Sequence, residues 1–580
     1  MKSLKFVLQR DIFLQLLVAS VGLTIYLPIA RLDPDPHHDG LQIATAIGVG
    51  SGRAIHQSVF SQYGPITAWL QGSWVWVTSP TLLNIRVLTA LQVVLIGALM
   101  CRIFLQLRVE RMIAIGVPIG WLLACPVWAT GIGASFLPWS SITYGLFLLT
   151  SITTLIEWAR RNDGRDKYGF ASGLFIGLAI MTRTNLGVTF LIFLFASYLV
   201  LFVTTGRPSA SEIRWPFVGI FSGVVVPILI LLSSKSFGDF IEQTILGPLN
   251  GKSSTATSQS FLLINYIFLT LGFIALLIAI ALFAKEKLDT PISKMLLVSF
   301  SFFVVIINLS DVKITSISSW TVKNFLSVQS SQSSTTLISI KIVVPLTIAI
   351  SCYLAIKSIF KIYAVQTKKP ILSENYRRQL IVAVVVAAGL SSLAQLYPRA
   401  DVYHLWLLAP APILLVFSTV HDWSAKALRI LLIPLLFVPA CQNLNGLIKL
   451  EKLERRKWSG GVLDGMLIKN EYFASFERAN EVLRNVTEPA SFECSDGLWS
   501  VWNQRYTADS ASFVNWSFGA NRMNVEAAPL VVACETEDQR QSIAEKFQRI
   551  VIANTGESKL AFNSFLIDGP YKIEVSIRKN

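Results

Sequence analysis

Charge is what this sequence has least of. Only 15% of its 580 residues are Asp, Glu, Lys or Arg, while 53% are hydrophobic. A soluble protein of this size carries about a quarter charged residues, so a simple soluble fold is excluded. Histidine and cysteine are scarce too, at five and six residues. No Cys/His group has zinc-ligand spacing, so a structural zinc site is not expected. Cys101, Cys125, Cys352 and Cys441 fall in apolar blocks and read as small buried hydrophobes. Cys494 and Cys534 lie in the polar tail and could pair if that part is exported. There is no cleavable leader pattern and no evident internal repeat of the kind found in many secondary transporters.

What is present is long apolar runs, with a mean hydropathy of +0.56. A run of about 20 apolar residues crosses the roughly 30 Å hydrocarbon core as a helix. Helices satisfy their own backbone hydrogen bonds there. The runs predict about thirteen such helices, at 12–30, 82–107, 112–130, 140–158, 168–182, 186–204, 215–233, 261–284, 292–309, 337–360, 380–397, 405–420 and 427–445. The fold class expected is therefore an α-helical polytopic membrane protein (1–445) followed by a small soluble α/β domain (446–580). In that tail, 471–484 and 537–549 read as helices. Leu530–Cys534, Ile550–Ala553 and Ile573–Ile577 read as strands. No catalytic motif stands out in it.

Basic residues set the orientation. With Lys2, Lys5 and Arg10 inside, most Lys and Arg of the first 445 residues fall on inner loops, which is the positive-inside bias. The N-terminus is then cytoplasmic and the tail extracytoplasmic, in a plasma (inner) membrane. The tail holds acids and bases in nearly equal number, so the net charge of +15 belongs to the membrane part. It serves topology and lipid headgroups there, not nucleic acid.

Three outer stretches carry the candidate chemistry. The first runs from Arg31 through Asp33, Asp35, His37, His38, Asp39 and Gly40 to Arg53 and Phe60-Ser-Gln-Tyr63-Gly-Pro65. The block Leu41–Val49 is apolar enough to lie along the membrane interface. These acids either do chemistry or merely mark a solvated outer loop. The second holds Tyr397, Arg399, Asp401 and His404. Arg399 either snorkels to the interface or clamps a phosphate with its planar fork. The third is Met181-Thr-Arg183-Thr-Asn185, which breaks two apolar runs and places an arginine at a tight turn. Arg53, Arg86, Lys235, Lys252, Lys313, Lys323 and Lys341 read mostly as ordinary loop charges, with Arg53 and Lys341 the two worth singling out. Ser/Thr-rich stretches at 252–260 and 327–336 suggest outer loops that could order over a substrate.

This layout resembles the GT-C class of membrane glycosyltransferases, which take sugars from polyprenyl-phosphate carriers. Protein mannosyltransferases and lipid A aminoarabinose transferases belong to it. The resemblance rests on His37-His38-Asp39-Gly40, Gly52-Arg53 and Phe60–Pro65, and on Pro398-Arg399 with Asp401 and His404. It implies that Asp39 is the catalytic base. Arg399, Arg183 and Lys341 would hold the donor phosphate, and His37, His38, Arg53, Tyr63, Asp401 and His404 would contact substrate. Many members carry an acid where this chain has Ser58, so a second carboxylate would have to be Asp33 or Asp35, or be dispensable. The chemistry tolerates one base. A glycosidase must protonate a poor leaving group, whereas a polyprenyl phosphate leaves as a stable anion. The partners implied are the lipid-linked donor, membrane lipids and a glycan, lipid or protein acceptor. No cofactor and no obligatory metal are expected. A glycan polymerase or ligase, a lipid-linked sugar transporter or flippase, and a sensory membrane protein are the competing expectations.

Overall fold

The apolar runs fold as helices in a computed structural model of the chain. The structure describes residues 2–246 apart from 36–37, 126–135, 137, 162–164 and 206–209. It also describes part of 381–418, residues 454–504 apart from 484–489 and 494–496, and the strands at 530–535, 547–553 and 572–578.

The first half is a helical bundle: α1 (Lys2–Ile29), α2 (His38–Gly50), α3 (Pro65–Val77), α4 (Leu82–Gln106), α5 (Arg111–Leu123), α6 (Ser140–Arg160), α7 (Arg165–Thr182), α8 (Thr184–Thr205), α9 (Ala210–Ser233) and α10 (Phe237–Ile241). Seven of these, α1 and α4 to α9, fall on the first seven predicted spans. Among the described residues, four helical segments are long and apolar enough to cross a membrane: Asp11–Ile29, Leu82–Gln106, Ser140–Arg160 and Arg214–Ser233. Their outward faces are apolar, with Phe13, Leu16, Phe217, Phe221 and Leu229 exposed, as lipid contact requires. Polar groups turn inward and bond between helices. The Tyr26 hydroxyl of α1 donates to the Leu122 carbonyl of α5 at 2.6 Å. Gln92 of α4 donates to Thr143 of α6 at 3.2 Å. In an apolar surround such bonds stabilise helix association by about 1 kcal/mol.

Of the later spans, α11 (Pro410–Ser418) lies within the twelfth. Those at 261–284, 292–309, 337–360 and 427–445 lie outside the described residues, as do the Ser/Thr-rich loops.

The C-terminal residues are mixed α/β. Strands β1 (Arg455–Lys457) and β2 (Leu467–Lys469) form an antiparallel hairpin, followed by α12 (Asn470–Leu483). Strands β3 (Ala490–Glu493), β4 (Leu530–Glu535), β5 (Phe547–Ala553) and β6 (Lys572–Arg578) form one sheet in the order β3-β4-β6-β5. The expected helix at 537–549 needs correcting at its end. Phe547–Arg549 belong to β5, paired antiparallel with β6. Propensity yields here to strand pairing of the β-branched run that follows.

Leu41–Val49 also departs from expectation. It is helical, as α2, but its apolar residues pack on protein. Ile43, Ala44, Ala46 and Ile47 are buried in one apolar core with Trp458, Val462, Met466, Phe473, Phe476, Trp499 and Trp502. The helix is apolar because C-terminal residues cover it.

Candidate functional site

The acidic loop is a set of matched charges, not a solvated segment. Asp35 caps the start of α2: its Oδ1 accepts from the His38 backbone N–H at 3.0 Å. Asp39 returns the bond, accepting from the Asp35 backbone N–H at 2.7 Å. This reciprocal arrangement, akin to a capping box, fixes the turn. Asp39 also meets Arg86, which projects from the second turn of α4. Nε of Arg86 donates to Oδ1 at 3.1 Å, and Nη2 donates to Oδ2. Both side chains are fully buried. Two further Arg86 N–H groups donate to the carbonyls of Leu32 and Asp33. Burial pushes the Asp39 carboxyl up from the usual carboxylate range, and Arg86 pulls it back.

Arg86 thus corrects its sequence reading: it is no ordinary loop charge. The signal was present, since an arginine inside the apolar run Leu82–Gln106 needs a partner. That partner lies 47 residues upstream, where local pattern is silent.

Asp33 ties the same loop to the C-terminal hairpin. Its backbone is left-handed, with φ +35°. Its Oδ2 accepts from Arg455 Nη2 at 3.0 Å and its Oδ1 from the Lys469 backbone N–H at 3.0 Å. The Leu467 N–H donates to the Arg31 carbonyl at 2.7 Å. Gly40 sits against backbone: a Cβ there would lie 2.2 Å from the Leu498 nitrogen. The described residues of 454–504 therefore roof the loop and cover Asp39.

The turn between α7 and α8 brings two of the predicted motifs together. Gly64 donates its N–H to the Thr182 carbonyl at 3.1 Å, and a Cβ at Gly64 would lie 1.9 Å from the Met181 carbonyl oxygen. Only glycine fits this approach. It lays Tyr63 under Arg183, whose guanidinium carbon is 4.9 Å from the ring centroid, a cation–π distance. Arg183 is buried, and its Nη1 donates to the Ser141 hydroxyl in the first turn of α6. It has no carboxylate partner among the described residues. Its Nε and the nearby Ser140 and Thr184 hydroxyls are buried without hydrogen-bond partners among the described residues. A helix N-terminus carries partial positive charge. A buried arginine placed there adds to that positive potential, which an anion would offset.

His38 links the two halves. Its ring stacks obliquely on Trp139, centroids 5.7 Å apart, just before α6 begins. Nδ1 lies 3.0 Å from Asp35 Oδ2. Beside the α6 terminus lies a small cleft of about 30 Å³, lined by Ser141, Tyr144, Val93, Ile96, Leu148 and Trp406.

Arg53 is exposed. Next to it, His56 is strained at φ +68° and buried. Its Nδ1 lies 3.0 Å from Gln243 Oε1, and burial lowers its pKa to about 4. His37, Lys341, Arg399, Asp401 and His404 lie outside the described residues.

No protein-family model matches the chain, and no curated protein matches it. Among solved structures, it is similar to the archaeal oligosaccharyltransferase AglB from Archaeoglobus fulgidus, in complex with an inhibitory peptide and a dolichol-phosphate. The TM-score is 0.46 at 10% identity, over 91% of this chain and 70% of that one. It is also similar to ArnT from Cupriavidus metallidurans bound to undecaprenyl phosphate, with a TM-score of 0.41 at 13% identity over 97% of each chain. Apo ArnT gives 0.39 at 13% identity, over 99% of this chain and 98% of that one. These proteins are membrane glycosyltransferases of the kind the sequence resembles.

Proposed function

We propose that the chain is a membrane glycosyltransferase. It moves a sugar from a polyprenyl-phosphate carrier to a glycan, lipid or protein acceptor at the outer face of the membrane, inverting the anomeric centre. The observation that carries this reading is the Arg183 site. Among the described residues, a buried arginine without a carboxylate stands at the head of α6, beside polar atoms that have no hydrogen-bond partner and next to a small, mostly apolar cleft. That combination suits the anionic head of a ligand, as a lipid-linked phosphate would supply. Preorganised cations facing a departing phosphate stabilise the charge that develops on it.

The acidic loop reaches the same place through His38 and Trp139, so it is the source of the proton acceptor. The resemblance nominates Asp39 for that role. Arg399 and Lys341 would add cations to the phosphate site, and His37, Arg53, Tyr63, Asp401 and His404 would contact substrate. No metal is required. The reading includes about thirteen spans, a cytoplasmic N-terminus and an outer C-terminal domain after residue 445. That domain serves the acceptor rather than the chemistry.

The test is release of polyprenyl phosphate from labelled polyprenyl-phosphate-sugar donors by purified protein. Arg183→Gln should slow turnover by about 10²–10³-fold in protein that melts as the unmodified chain does. Failure of the unmodified protein to turn over any such donor would overturn the reading in favour of a transporter.

A further inference from the structure

The nominated base, Asp39, is the least available carboxylate in the loop. Its side chain is 0% exposed. Both of its oxygens are engaged, by Arg86 and by the Asp35 N–H. It lies beneath backbone from residues 497–498, which packs directly on Gly40. A general base must come within hydrogen-bond reach of the proton it removes, and Asp39 meets that need only if an ion pair and a packed backbone both open. Its neighbour is placed differently. The His38 side chain is 21% exposed, while Asp35 behind it is 4% exposed and 3.0 Å from Nδ1. The ring abuts Trp139 at the head of α6, next to the residues that hold Arg183.

We propose that His38, oriented by Asp35, removes the proton from the acceptor hydroxyl, and that Asp39 with Arg86 is the pin that holds the loop. This rests on the transferase reading above and names its catalytic residue. The Asp35 carboxylate fixes the tautomer: Nδ1–H donates to it, which makes Nε2 the basic nitrogen. A buried carboxylate holding an imidazole in one tautomer, and stabilising the imidazolium that forms, is an arrangement used in hydrolases. The step balances. The acceptor oxygen forms a bond to the anomeric carbon of the donor. The bond from that carbon to the phosphate oxygen breaks, and its electron pair leaves with polyprenyl phosphate, which departs as a monoester dianion beside Arg183. The hydroxyl proton passes to Nε2 of His38 and from there to water. His38 is the catalytic residue in this scheme, and Asp35 is a positioning residue.

The experiment compares His38→Ala, His38→Gln, Asp35→Asn and Asp39→Asn in the full chain, with sugar transfer and polyprenyl-phosphate binding measured together. His38→Ala and His38→Gln should each lower kcat by about 10²–10⁴-fold and leave binding of the carrier unchanged. Added imidazole should restore part of the activity of His38→Ala and none of that of His38→Gln, whose side chain fills the space. Asp35→Asn should lower kcat by roughly tenfold or more with KM little changed, through loss of the tautomer lock. Asp39→Asn should lower the melting temperature and gain nothing from imidazole. If both His38 variants stay within about threefold of the unmodified enzyme, or if imidazole rescues nothing in His38→Ala, the assignment is overturned. If the unmodified protein transfers no sugar from any polyprenyl-phosphate donor, the transferase reading itself falls.

Discussion

Arg86 shows how much one side chain settles. It is a fully buried cation whose protons are spread over Asp39 and two carbonyls. Breaking such a pair on one side leaves a buried charge without compensation, at a cost of about 3–5 kcal/mol. Arg86→Leu should therefore melt far below the unmodified protein. The double variant Arg86→Leu/Asp39→Leu should recover much of the loss, because two apolar side chains replace two charges. Thermal unfolding in detergent reads both, and equal melting of the single and double variants would contradict the pairing. His56 gives a pH signature. Its folded pKa, about 4, lies below its ordinary 6.5. The stability it contributes is intact above 6.5 and is lost as pH falls towards 4, where the unfolded chain takes the proton first. The loss reaches about 3 kcal/mol. Melting temperatures should fall more steeply over that window for the unmodified protein than for His56→Asn, which tolerates the left-handed backbone. Parallel slopes would remove His56 as the cause. At this scale the sequence was half legible. Asp39 stood out in the acidic loop and Arg183 as a charge between apolar runs, but their partners come from segments far along the chain.

Elements were legible where their own composition decides them. The apolar runs behind α1 and α4 to α9 must be helical in lipid whatever they pack against. Elements defined by a partner were harder to read. Leu41–Val49 has the composition of a membrane-surface helix, yet Trp458, Phe476 and Trp499 cover it. Phe547–Arg549 looked helical until β6 claimed them. Two contacts between elements can be tested directly. Gly64→Ala drives a methyl into the Met181 carbonyl, so it should separate Tyr63 from Arg183 and abolish transfer, whereas Gly116→Ala, on the helical backbone of α5 with open space around it, should not. Asp33→Asn removes the charge that holds Arg455. It should weaken docking of the β1–β2 hairpin by roughly 1.5–3 kcal/mol, seen as faster limited proteolysis after residue 454. An unchanged cleavage rate would mean the hairpin is held by its apolar core alone.

At the scale of the whole molecule, segments distant in sequence share one end of the bundle. The 31–65 loop, the head of α6, the Met181–Thr184 turn and the 454–504 hairpin region touch one another. Alternation of basic loops had grouped the acidic loop, Arg183 and the tail on one side, and these contacts are what makes that grouping chemical. Which side it is remains the prediction of the basic residues. A cysteine placed at exposed Ser459 should react with a membrane-impermeant thiol reagent in intact cells. The central claim, that this end binds a lipid-linked phosphate at Arg183, is tested most directly by titrating purified protein with polyprenyl phosphate alone. The unmodified chain should bind it, and Arg183→Gln should bind at least tenfold more weakly with its fold intact. Equal affinity of the two proteins would contradict the account.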